Sequence, residues 1–151
     1  MKRADFDEVL REFDSRIRHH RAMEHGKKSR RKYLTREGVS FDFITDKWGW
    51  APDSGWRFLI RVVDTSRLDL WGNAPFGAEF DVRPALVTEI VGKRAIGDLY
   101  GDRPELRAEI AGNWYIFDHQ DRLRAVLDLI LDPALDVIDG WIRDRITHRS
   151  D

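Results

Sequence analysis

Cysteine is absent from this 151-residue chain, which removes disulfides, iron–sulfur clusters, thiolate zinc sites and Cys nucleophiles together. Long apolar runs are missing too. Nowhere do 18 consecutive apolar residues occur, so no membrane-spanning helix is expected. The opening Met1-Lys2-Arg3-Ala4-Asp5 runs into charged residues without an apolar stretch. A cytoplasmic protein with no membrane association is the expectation.

Catalytic signatures are equally scarce. There is no phosphate-cradling Gly-x-x-x-x-Gly-Lys-Ser/Thr loop, no dinucleotide glycine fingerprint and no Gly-x-Ser-x-Gly elbow. Ser15, Ser29, Ser40, Ser54, Ser66 and Ser150 stand in ordinary polar surroundings, and none is marked as a nucleophile.

What is present is enough for one domain spanning 1–151. Apolar residues make up 42% and charged residues 35%, and a chain of this length hides roughly 68–70% of its unfolded surface. The net charge of −1 conceals an asymmetry. Between Arg16 and Arg36 lie nine basic residues and one acid, Glu24, a local charge of +8 against −9 for the remainder. Such a split steers toward an anionic partner, or folds back on the acidic remainder and neutralises itself.

Phe6, Val9, Leu10, Phe13 and Ile17 repeat at helical spacing, which predicts an amphipathic helix ending between His20 and Gly26. Lys27 to Arg31 reads as a polar connection. Tyr33–Arg36 and Val39–Phe43 alternate around Glu37-Gly38 as a hairpin. Trp56, Phe58, Ile60 and Val62 share one face of a further strand, whose other face is mixed. Leu68–Trp71 and Ala78–Val82 read as strands across a Gly72–Gly77 turn. Leu86–Val91 is read as a strand from its β-branched residues, the region after it as weakly structured, and Trp114–Phe117 as another strand. Asp118 is the expected N-cap of a helix carrying Leu123, Val126, Leu127, Ile130 and Leu131. Asp132-Pro133 is expected to close it and start a second helix lined by Leu135, Ile138, Trp141, Ile142 and Ile146. The result is an α+β fold, an antiparallel sheet of five to six strands with one N-terminal and two C-terminal helices packed on it.

The Arg94-Ala95-Ile96-Gly97-Asp98-Leu99 run and the Trp114 strand with its helical sequel resemble the bacterial domain-of-unknown-function 4304 family. The layout is similar over nearly the whole chain; the strand ending Ile44-Thr45-Asp46-Lys47-Trp48 departs from the family's pattern. The resemblance implies a compact α+β domain and carries no catalytic motif across.

His19 and His20 project about 100° apart on a helix and cannot chelate together. A metal there needs partners from elsewhere, and Arg18 and Arg21 oppose a cation, so His19, His20 and His25 read as a solvated helix terminus. His119, beside Asp118 and Asp121, has the composition of a general base but the position of a first-turn surface residue. Asp128, Asp132, Asp136 and Asp139 would hold a divalent ion if they met across the turn, yet their spacing equally describes a solvated face. No metal and no cofactor is expected.

The six tryptophans point elsewhere. Trp48 and Trp50, with Lys47 and Asp53, occupy a Gly/Pro turn that either folds over the open sheet face, the two indoles covering it, or serves as a partner-binding loop. Trp56, Trp114 and Trp141 read as core, and Trp71 is undecided. The leading expectation is a non-catalytic protein-binding module, immunity- or antitoxin-like, monomeric or homodimeric. The alternatives are a nucleic-acid-associated protein gripping phosphates through Arg21, Lys27, Lys28, Arg30, Arg31 and Lys32, or a motif-poor hydrolase or nuclease.

Overall fold

The computed structural model describes residues 3–20, 23–26, 29–48, 55–104 and 114–149. In chain order the elements are α1 (Arg3–His20), β1 (Met23–Gly26), β2 (Ser29–Thr35), β3 (Val39–Trp48) and β4 (Gly55–Asp64). A 3₁₀ turn (Thr65–Arg67) and β5 (Glu79–Val82) come next, then α2 (Pro84–Val91), α3 (Lys93–Asp98), β6 (Tyr115–Phe117) and α4 (Gln120–Arg149). The six strands form one antiparallel sheet in the order β1, β2, β3, β4, β5. The long β4 divides its outer edge, pairing Ile60–Val63 with β5 and Trp56–Phe58 with β6. The fold is α+β.

Alternation decides which sheet face is buried. Val39, Phe41, Phe43, Phe58, Ile60 and Val62 form one core with Phe6, Val9, Leu10 and Ile17 of α1 and the apolar stripe of α4. Phe6 meets Phe58 and Phe117 with ring centres 5.6 and 5.7 Å away. The opposite sheet face carries charge in register. Lys32, Asp42, Arg61 and Asp81 are successive cross-strand partners, and Arg61 Nε lies 2.9 Å from Asp81. Opposite charges directly across strands each contribute about 0.2–1 kcal/mol, and Leu59 and Ile116 are buried on the same face.

Several expectations are corrected. The C-terminal segment is one helix, α4, with Pro133 inside it. An interior proline costs about 3 kcal/mol, but Ile130, Leu131, Ala134, Leu135, Ile138 and Ile142, all buried, continue one stripe through it, and their burial outweighs that cost. Residues 84–91 are α2 and not a strand. Pro84 takes the first turn, only Pro84 and Val87 are buried, and Thr88 Oγ1 bonds back to the Pro84 carbonyl at 2.7 Å, so β-branching is accommodated within one short turn-rich helix. Lys93–Asp98, taken as weakly structured, is α3. Met23–Gly26 is an edge strand, β1, paired with β2, where the sequence suggested only a helix end and a polar connection.

At the start of α4 it is His119, not Asp118, whose side chain accepts the Arg122 backbone N–H, at 3.1 Å. Asp118 instead grips the Arg122 and Arg103 side chains at 2.7 and 3.2 Å. Arg122 is buried, donates to the Leu99 carbonyl as well, and so ties α4 to the segment after α3. None of the described helices is long and apolar enough to cross a membrane.

Candidate interaction surface

Residues 68–71, expected as a strand, are instead the first half of a loop that runs from the 3₁₀ turn to β5. Its neck is built on Asp64, which is fully buried. The Asp64 carboxylate accepts from Ser66 N–H and Ser66 Oγ at 3.1 and 2.6 Å and pairs with Arg145 Nε at 2.9 Å. Its backbone N–H donates to Ala78 O at 2.8 Å, closing the neck. Arg145 comes from α4, lies 4.5 Å over the Trp141 ring and also donates to Gly77 O. Trp141 in turn stacks on Phe80 of β5, ring centres 5.9 Å apart. One cation therefore fastens the end of α4, the sheet and the loop.

Within the loop, Asp69 replaces a core. Its Oδ1 accepts the backbone N–H of Trp71 at 2.9 Å and of Asn73 at 2.8 Å. Its own N–H and C=O pair with Asn73 O and Gly72 N, both within 3.0 Å. This is the Asx turn that an aspartate offers a chain reversal. Gly72 and Gly77 have φ near +80°, a backbone that side chains rarely adopt. Because these polar groups define the loop, its apolar side chains have nothing to cover. Leu70, Trp71 and Phe76 are 96%, 82% and 103% exposed. Leu86 and Ile90, four residues apart on α2, add further exposed apolar surface. Scattered single apolar residues are ordinary on a surface; here Leu70, Trp71 and Phe76 are each more than four-fifths exposed within one ten-residue loop.

The residues picked from the sequence fare unevenly. Lys47 is exposed at the end of β3, its ammonium 5.8 Å from the Trp56 ring centre. Trp50 and Asp53 lie outside the described residues, as do Arg21, Lys27 and Lys28. Arg30 and Trp48 are placed on strands, with their side chains outside that set. Arg31 is bound to Asp7 at 3.3 Å and to Thr45 Oγ1 at 2.8 Å, while Lys32 points to the other sheet face beside Asp42. Arg16 is held by Asp128 and Asp132 of α4 at 3.1 and 3.0 Å. Among the described residues of the basic stretch, Arg16 and Arg31 thus spend their charge on the acidic remainder, which leaves less for a phosphate backbone. Trp71, undecided from sequence, is the exposed tryptophan among those whose side chains are described. Its signal was present in the flanking Asp-x-x-Gly, which forms turns more readily than strands.

Two histidines are also relocated. His25 is not on a solvated helix end but on β1, its Nε2 3.0 Å from Asp14, which also accepts the Tyr33 hydroxyl at 2.8 Å. These three groups line a cavity of about 340 Å³ between α1 and the first hairpin. Burial, and then the hydrogen bond to Asp14, raise the Tyr33 hydroxyl well above its ordinary range. His20 leans on α4, its Nε2 2.6 Å from Asp139 Oδ2.

No family model, no curated protein and no solved structure matches the chain; its function is read from its own surfaces.

Proposed function

We propose that this chain is a protein-binding module that docks a partner protein through Leu70, Trp71 and Phe76. The observation that carries the reading is the loop itself, which holds three large apolar side chains almost wholly in water on a hydrogen-bonded frame. Burying a large apolar side chain yields about 1.5–3 kcal/mol. A frame already fixed before binding avoids much of the ordering cost, roughly 0.5–1.5 kcal/mol per immobilised side chain. Aromatic anchors presented in this way are the residues that dominate protein interfaces.

A partner protein with an apolar cleft fits better than a bilayer. Arg67 and Arg83 flank the loop together with Asp69, Glu79 and Asp81, so no basic excess is available to draw it to anionic headgroups. Acting by binding also agrees with His119, whose Nδ1 is occupied as a helix cap. Masking of a partner in the manner of an immunity protein or antitoxin is the narrower form of this proposal, and the partner's identity decides it.

Capture from lysate by the wild type and by a Leu70→Ala, Trp71→Ala, Phe76→Ala triple variant provides the test, followed by reconstitution with the purified partner. The expected result is a partner retained by the wild type and lost by the variant. Equal capture by both proteins contradicts the reading, and so does binding of the wild type to neutral phospholipid vesicles with no protein captured.

A further inference from the structure

We propose that His20, Asp136 and Asp139 form a site for one divalent transition-metal ion, zinc being the best fit, at the seam between α1 and α4. Asp136 and Asp139 stand three residues apart on α4 and so share a helix face. The last residue of α1, His20, brings an imidazole against them. Its Nε2 lies 2.6 Å from Asp139 Oδ2 and 3.9 Å from Asp136 Oδ1, and the three donor atoms fall within 4.8 Å of one another. Zinc binds imidazole nitrogen and carboxylate oxygen at about 2.0–2.2 Å, which in tetrahedral geometry sets neighbouring donors about 3.3–3.6 Å apart. Shifts of about 1 Å or less in the three side chains satisfy that spacing.

The rest of the seam shows why this rung differs. One turn earlier Arg16 already satisfies Asp128 and Asp132 with a forked guanidinium, an arrangement complete without an ion. At His20 the imidazole Nε2 faces two carboxylates. Among the described residues Asp136 has no other ion-pair partner and keeps 73% of its side chain in solvent, giving an ion access and leaving coordination positions for water. The carbonyl end of α1 adds partial negative charge at the same place. Arg18, a positive neighbour in sequence, reaches toward Asp14. The imidazole favours zinc, cobalt or nickel over magnesium and calcium, which prefer all-oxygen sites. Pairing ligands from facing helices is a recurrent way to build such a centre.

Metal-stripped protein titrated with zinc alone, by calorimetry and by thermal unfolding, supplies the test, with magnesium as the control cation. The expected outcome is one zinc equivalent bound, a zinc-dependent rise in Tm that magnesium does not reproduce, and affinity at least tenfold weaker in Asp136→Asn. Cobalt should give visible absorption bands in the wild type that weaken in the same variant. Asp136 is exposed, so Asp136→Asn is expected to fold even if His20→Ala does not. No zinc-dependent shift in the wild type, or equal affinity in the wild type and Asp136→Asn, overturns the proposal, the latter by placing the ion on other groups.

Discussion

Phe6 of α1 meets Phe58 and Phe117 of the sheet with the three rings in mutual contact and out of water, whereas Leu70, Trp71 and Phe76 stand in solvent on the loop before β5. The residue types are alike and their roles are reversed. In the core, side-chain burial determines where the backbone goes. In the loop, backbone hydrogen bonds to Asp69 and the clamp of Arg145 on Asp64 determine the shape, and the side chains contribute nothing to it. Shape obtained without burying apolar surface leaves that surface free for another molecule.

That contrast is open to attack at several points. Phe58→Ala should cost the most, about 3–5 kcal/mol in chemical denaturation, because it opens a cavity among rings that cannot all collapse. Arg145→Ala should cost about 3 kcal/mol, since it takes the guanidinium away from the buried Asp64 carboxylate, and should also loosen the loop neck in hydrogen exchange. If Arg145→Ala leaves both stability and loop exchange unchanged, the clamp is not what shapes the loop.

Acid probes a different anchor. Burial works against the charged form of Asp118, but its hydrogen bonds from Arg122 and Arg103 outweigh that and hold the carboxyl below its ordinary range. Its folded value therefore lies below the unfolded value of about 3.9, so its stabilisation is complete above about pH 4 and is lost as pH falls through the folded value. Denaturation midpoints measured between pH 7 and pH 3 should fall more steeply for the wild type than for Asp118→Asn. Parallel curves would remove Asp118 from the acid response.

Asp69→Ala should cost about 1 kcal/mol and speed amide exchange at Trp71 and Asn73, the two donors it loses. The smallest effect is expected at the loop surface. Trp71→Ala and Phe76→Ala should each change stability by no more than about 0.5 kcal/mol, although they carry the proposed contact.

Periodicity made much of this fold legible. The stripe of Phe6, Val9, Leu10 and Ile17 marks α1, and the alternation of Phe41, Phe43, Phe58, Ile60 and Val62 marks the two central strands with the correct faces inward. Pattern misled where tertiary context outweighed local preference. Pro133 reads as a break, yet the buried stripe runs through it unshifted; Val87 and Ile90 read as a strand, yet α2 needs only Val87 and Pro84 inside. The candidate surface was harder to see. Leu68-Asp69-Leu70-Trp71 alternates as a strand does, and the deciding force is a single carboxylate folding over two backbone amides. Distant pairs such as Arg145 with Asp64, or His20 with Asp139, leave no local trace in a single sequence.

The central claim, that the 68–77 loop exists to meet a partner protein, is tested most directly by photo-crosslinking in cells with a photoreactive amino acid in place of Trp71 and, as control, of Lys93 on the exposed surface of α3. The account predicts a discrete protein adduct from position 71, absent from position 93 and competed by wild-type protein but not by the Leu70→Ala, Trp71→Ala, Phe76→Ala variant. No adduct at position 71, or the same adducts from both positions, would contradict it.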